Sequence, residues 1–297
     1  MKRFRKIIAL LVILIIAISA VLYLKAQYVV PIVMYHNIDG KSAASRLSVS
    51  PESFKRQMNF LKNQHYNVVK LEDLAKMIRE NQFLRPEGQN LFASHQGEID
   101  TERPLFIRIL KSVVLWPRMY RFPSKTIAIT FDDGYRNNYT DAYPVLKNLD
   151  LHASIFIIPA LVGTDGYLTW DQIIEMSESG VITIGSHTMT HPWLPAQPAE
   201  KMDLEIRDSK LAIENHLNKE VSSFSYPLGG FNKDVREKVI KAGYKIAVAT
   251  NPGKIYPKHD LFAMKRLRIS NTSDNLFVFW FEITGFYTWI KEHRDKD

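Results

Sequence analysis

The sequence predicts an α/β protein built on a mainly parallel sheet, open or closed into a barrel. Short apolar, β-branched runs alternate with helical stretches along most of the chain, the signature of repeated βα units. Several of those runs carry almost no polar residue, as buried strands require. The composition agrees: 297 residues, 46% hydrophobic and 24% charged, suit one large globular domain or two small ones and exclude a wholly disordered chain.

Residues 7–24, IIALLVILIIAISAVLYL, hold no charge, and 18 residues at about 1.5 Å each make roughly 27 Å of helix, enough to span a bilayer core. Lys2, Arg3, Arg5 and Lys6 precede the run, so the expected topology is a basic cytoplasmic N-terminus at 1–6, an anchor at 7–24, and a domain at 25–297 on the far side. A cleaved signal peptide, with Ala17 and Ser19 as small cleavage residues, is the alternative. Val21 to Leu24 carry the apolar run past that point and favour an anchor. About six residues then lead to VVPIVMYH (29–36), a buried strand. That linker reaches about 20 Å, which would hold the domain close to the membrane.

Ser50 and Pro51 start a helix with Phe54, Met58 and Leu61 on one face. NVVKL follows, then a helix from Leu71 to about Asn81. Strands are expected at TIAITF (126–131), ASIFII (153–158), VITIG (181–185), SSFSY (222–226) and KIAVA (245–249). Helices at about 138–149, 170–179, 199–218 and 233–242 separate them, with Gly180 and Gly243 as C-terminal caps. An insertion at about 83–124, broken by Pro86, Gly88, Gly97, Pro104, Pro117 and Pro123, interrupts the rhythm. It would either fold back on the barrel as a subdomain or rest its basic, apolar part, residues 103–122, on anionic lipid headgroups. At the C-terminus, Leu276, Trp280, Ile283 and Tyr287 make one helical face. Phe277, Phe279, Phe281 and Trp289 then need a second apolar surface, for which the insertion is preferred over the bilayer.

The formal charge of +8 is local. Four bases precede the apolar run, and six more (Arg103, Arg108, Lys111, Arg118, Arg121, Lys125) lie in a stretch without acids; the rest carries 29 bases against 31 acids. A near-neutral body argues against a nucleic-acid partner. The absence of cysteine excludes a disulfide framework and a thiolate metal site.

Three motifs follow strands, at the end where α/β folds hold their sites. In TFDDGY (130–135), Gly134 permits the turn that brings out two successive carboxylates, Asp132 and Asp133. SHTMTH (186–191) supplies His187 and His191 with a spacing that suits two imidazoles on one metal; with one carboxylate they leave positions open for water and substrate. FSYPLGGFN (224–232) runs from a strand through Pro227, Leu228, Gly229 and Gly230, leaving backbone N–H groups free to face a ligand. Each motif alone has an ordinary structural explanation as a turn or loop. A carboxylate pair and a His pair in one βα array favour chemistry.

In this order the motifs resemble the polysaccharide deacetylases of the NodB-homology class, carbohydrate esterase family 4, over about Val29 to Asn275 apart from the insertion. The Tyr-Pro-Leu-Gly-Gly form is similar to the branch containing exported poly-N-acetylglucosamine deacetylases. The resemblance implies a distorted (β/α) barrel with fewer than eight units, a divalent metal, zinc first with cobalt or nickel as alternatives, and removal of N-acetyl groups from an amino-sugar glycan. By the matching positions Asp133, His187 and His191 would hold the metal, Asp132 would be the general base, and the Leu228 N–H would help bind the oxyanion. Such a metal would polarise an acetyl carbonyl and lower the pKa of water towards about 7.

The chain departs from the family pattern in two places. Ser225 stands where members often carry an Arg that orients the base. No LxH-type motif follows residue 250, where AMKRLRIS (263–270) stands instead. His36, at the end of the first strand, is the leading substitute as general acid or substrate contact, with His259 second. The rival readings are a non-haem iron oxygenase, which also uses two His and a carboxylate, and a catalytically silent glycan-binding or scaffold protein. Asp132 beside the ligand carboxylate favours hydrolysis over both.

Overall fold

The computed structural model of the protein describes residues 2–39, 47–83, 122–123, 125–250, 256–257 and 259–294. The chain divides into two compact units, Met1–Val29 with Arg79–Arg121, and Val30–Ile78 with Phe122–Asp297. In the first, a helix spans Lys2–Ala26. Its Phe4–Val21 stretch is long and apolar enough to cross a membrane, a description that a membrane span and a signal sequence both meet. The expected insertion, with its basic residues 103–121, lies outside the described residues except at Phe83, Phe122 and Pro123.

The second unit carries the sheet. Its strands are β1 (Ile32–Tyr35), β2 (Asn37–Ile38), β3 (Ser48–Val49), β4 (Asn67–Val68), β5 (Thr126–Phe131), β6 (Ala153–Ile157), β7 (Ile182–Ser186), β8 (Ser223–Ser225), β9 (Ile246–Ala249), β10 (Met264–Lys265) and β11 (Leu267–Arg268). The main sheet runs β10-β9-β8-β7-β6-β5-β1-β11, with β4 beside the start of β5, and every pairing is parallel. Strands β10 and β11 stand at opposite ends of this order, yet Arg266 alone separates them in sequence. The chain therefore crosses from one edge of the sheet to the other through a single residue, and an eight-stranded barrel comes close to closing there. No helix fits in that connection, so the helix-bearing units number fewer than eight, as expected.

Most elements lie where the apolar pattern placed them. Ser50 caps the helix Pro51–Asn63 through its side chain, and Phe54, Met58 and Leu61 are fully buried. The helices 170–178 and 233–241 end two residues before Gly180 and Gly243, whose φ values of +80° and +82° are those of left-handed C-terminal caps. The C-terminal aromatic stretch differs. It forms two short helices, Leu276–Glu282 and Tyr287–Arg294, parted near Gly285, whose φ is +79°. The buried face of the first is Phe279 with Ile283, while Trp280 is 43% exposed. A single face through Trp280 and Tyr287 fails because the helix does not continue that far.

Candidate active site

Strands β5, β7 and β8 fall within four consecutive strands of the parallel sheet, with β6 between β5 and β7, and the residues that follow them converge. After β5, Asp133 and Gly134 take φ values of +73° and +74°. A Cβ on Gly134 would also come within 3.1 Å of Ile157. The turn therefore needs glycine for its conformation and for its fit. After β7, Thr188 and His191 have φ values of +66° and +61°, and after β8 Leu228 has +56°. Four of the eight non-glycine residues with positive φ among those described thus fall on these three loops. A β-branched residue such as Thr188 pays a steric penalty there, and strain of this kind gathers at functional sites.

Asp133 Oδ1 lies 3.6 Å from His187 Nε2 and 3.7 Å from His191 Nε2. One donor atom from each residue falls within 4.8 Å of the others, so the three could hold one metal ion. The donor set fits a divalent cation of the zinc type. The tautomer of His187 suits that task. Its Nδ1 lies 2.8 Å from the Ser225 carbonyl, which can only accept, so Nδ1 carries the proton and Nε2 presents its lone pair to the cluster.

Asp132 also borders the cluster, its Oδ2 3.7 Å from His187 Nε2, but its hydrogen bonds run to Arg266. Arg266 Nη1 donates to its Oδ1 and Nη2 to its Oδ2, both at 2.6 Å. Nη2 also donates to Ser225 Oγ at 2.8 Å, and Ser225 Oγ lies 3.3 Å from Asp132 Oδ2. Arg266 and Asp132 are 2% and 3% exposed. The serine does not leave Asp132 without an orienting arginine: the guanidinium arrives from the residue that joins β10 to β11, and Ser225 accepts one of its hydrogen bonds. The arginine sits inside AMKRLRIS, but its role depends on barrel closure, so no local pattern marks it.

Burial and charge set the two carboxylates apart. Burial alone would raise the pKa of Asp132, but the Arg266 guanidinium, with smaller contributions from His187 and His36, holds the carboxyl well below the usual carboxylate range. Asp133 is pushed up to about 6, by burial and then by the charge of Asp132. Burial lowers His187 to about 4, against the pull of Asp132, and lowers His191 in the same sense.

The remaining candidates divide. His36 lies close enough to act electrostatically on both Asp132 and Asp133. Its Nδ1 is buried without a hydrogen-bond partner among the described residues, and burial lowers its pKa against the pull of the two carboxylates. His259 instead packs against Phe122, ring centroids 5.5 Å apart. The hydrogen bonds that close the turn at 227–229 use the N–H groups of Gly229 and Gly230, leaving that of Leu228 outside them.

Glu205 has no counterpart among the sequence candidates. It sits 4% exposed in a π-helical turn, Leu204–Asp208. Its carboxylate accepts from the Thr190 N–H at 2.8 Å and the Thr190 hydroxyl at 2.5 Å, and its carbonyl accepts from the Met189 N–H at 3.1 Å. Three hydrogen bonds thus fasten the loop between the two imidazoles. A widened turn is a frequent device near sites, and nothing in the local sequence announces it.

A family model for polysaccharide deacetylase matches residues 120–247. The Bacillus subtilis (strain 168) protein YxkH, named for the polysaccharide deacetylases, is 30% identical over 240 residues, 81% of this chain and 71% of that one. The poly-beta-1,6-N-acetyl-D-glucosamine N-deacetylase of Staphylococcus aureus (strain MRSA252) is 24% identical over 241 residues, 76% of this chain and 79% of that one. Among solved structures, the Streptococcus pyogenes deacetylase PplD in complex with acetate superposes with a TM-score of 0.65 at 25% identity, covering 84% of this chain and 96% of that one.

Proposed function

The chain belongs to the polysaccharide deacetylase family, and from that premise we propose that it removes N-acetyl groups from an amino-sugar glycan with the help of a divalent metal. The division of labour within the Asp132–Asp133 pair carries this reading: one carboxylate is clamped by Arg266, and its neighbour faces two imidazole Nε2 atoms.

In this reading Asp133, His187 and His191 hold the ion, zinc before cobalt or nickel. When bound, such an ion polarises an acetyl carbonyl and acidifies water. Asp132, ionised at neutral pH and fixed in direction by Arg266, accepts the proton of the attacking water. The Leu228 N–H, outside the bonds that close its turn, stabilises the developing oxyanion. His36 is the candidate donor to the departing amine. The buried Asp132–Arg266 pair speaks against a silent scaffold, because a protein that only binds glycan has no need of a costly oriented carboxylate.

The topology in this reading has the basic N-terminus in the cytoplasm and the domain close to the outer face of the cytoplasmic membrane. The helix Lys2–Ala26 and the short linker favour it, and residues 103–122 are a second candidate contact with the bilayer. The staphylococcal relative's name makes β-1,6-linked N-acetylglucosamine the first polymer to assay. Full-length protein in detergent, with added zinc, cobalt or nickel, should release acetate from β-1,6-linked oligomers, chito-oligomers or peptidoglycan fragments, and His187→Ala and His191→Ala should abolish both release and tight metal binding. A protein that takes up a full equivalent of metal and releases acetate from none of them would instead be the silent glycan binder.

A further inference from the structure

Trp193 stands two residues after His191, in the loop that leaves β7, and is 44% exposed. Its ring lies against Gly230 so closely that a Cβ there would fall 1.9 Å from it. Gly230 has φ −94° and ψ 127°, a conformation open to any residue, so its backbone does not require glycine. The missing side chain makes room for the indole. The ring thereby joins the loop that carries His187 and His191 to the turn that carries Leu228, whose side chain is 69% exposed.

A tryptophan serving only to tie two loops together would gain most by burying its whole surface. This one leaves nearly half its surface in solvent beside the candidate metal ligands. A pyranose ring presents a flat face of C–H groups, and the indole offers the largest flat apolar surface of any side chain, with a negative π-face. Binding sites pair such apolar platforms with a few placed polar groups. We propose that Trp193 is a stacking platform for a sugar ring of the glycan adjacent to the unit being deacetylated, and that Gly230 sets the position of the indole. The inference rests on the deacetylase reading and adds a subsite that requires an oligomer.

The test compares hexamers of β-1,6- and β-1,4-linked N-acetylglucosamine with 4-methylumbelliferyl acetate, an ester without a sugar, using full-length protein in detergent. A platform that holds ground state and transition state alike acts on KM rather than kcat. Trp193→Ala should raise KM for the better hexamer by about tenfold with kcat within about threefold, and its loss in kcat/KM on the hexamer should exceed that on the ester by about tenfold. Trp193→Phe should recover part of the loss. Gly230→Ala, which displaces the ring, should reproduce it. A hexamer effect under about twofold, or equal losses on hexamer and ester, would overturn the proposal. If wild type releases acetate from neither hexamer nor from peptidoglycan fragments, the deacetylase reading fails. Calorimetric binding of the hexamers then decides the platform on its own: about tenfold weaker binding by Trp193→Ala supports it, and unchanged binding overturns it.

Discussion

Asp132 and Asp133 leave the same strand as sequence neighbours, and burial acts on both, yet one is held below the usual carboxylate range and the other is lifted to about 6. The difference lies in what faces them. Asp132 meets the guanidinium of Arg266, a permanent cation, in a two-point hydrogen bond. Asp133 meets two imidazoles that burial keeps neutral, together with the negative charge of its neighbour. One carboxylate is complete within the protein, while the other is held at a cost that a divalent ion would relieve.

The largest effect should come from breaking the completed half. Replacing Arg266 with Met leaves Asp132 buried and unpaired, and loss of one partner from such a pair costs about 3–5 kcal/mol. Arg266→Met should lower the unfolding free energy by that order in a denaturant melt at pH 7. The double variant Arg266→Met/Asp132→Asn should recover part of it. The pair's stabilisation is fully present above the ordinary aspartate pKa of about 3.9 and is lost only as the pH falls through the lower value of the folded state. Equal stability of wild type and Arg266→Met at neutral pH would show that the pair contributes nothing net.

Next in size is the separation of roles. Asp132→Asn should retain the metal and lose about 10² or more in kcat, the scale of a general base, whereas Asp133→Asn should lose the metal itself. Equal metal loss in the two proteins, measured by chelator competition, would erase the distinction.

Why one half of this site was legible in the sequence and the other was not follows from range. Asp132, Asp133, His187 and His191 sit in short motifs directly after apolar runs, and β5 spans Thr126–Phe131 where that run placed it. Arg266 lies 134 residues from Asp132 and reaches it only because two-residue strands, too short for a periodic signal, close the barrel on either side of it. Ser225 read as the loss of an arginine, since a motif records which side chain is absent and not which other element supplies it. Glu205 reads as one more acid on a polar helix, because a π-turn changes hydrogen bonding without changing composition. Phe279 reads as an off-face residue for a related reason: the helix that would define the face stops at Glu282.

Glu205 gives a smaller test of the incomplete half. Its carboxylate fastens Thr190, the residue before His191, so Glu205→Ala should weaken metal affinity about 10- to 100-fold, the range found for outer partners of metal ligands. Glu205→Gln keeps an acceptor for the Thr190 N–H and should lose less. A metal affinity unchanged in Glu205→Ala would show that the loop holds its shape without this anchor.

The mildest way to separate the two carboxylates is to titrate them against the metal. Binding requires Asp133 ionised and both imidazoles neutral. Asp133 is pushed up to about 6, while burial lowers both imidazoles, His187 to about 4, so the proton on Asp133 competes with the metal as the pH falls through about 6. Asp132, ionised throughout this window, adds nothing to the slope. Zinc affinity should be nearly level above about pH 7 and fall about tenfold per pH unit below pH 6, with about one proton released per ion bound. In Asp132→Asn the charge that helps raise Asp133 is gone, so the break should move to lower pH. A break that stays in place would assign the raised pKa to burial alone, and an affinity level from pH 7 to 5 would remove Asp133 from the ligand set.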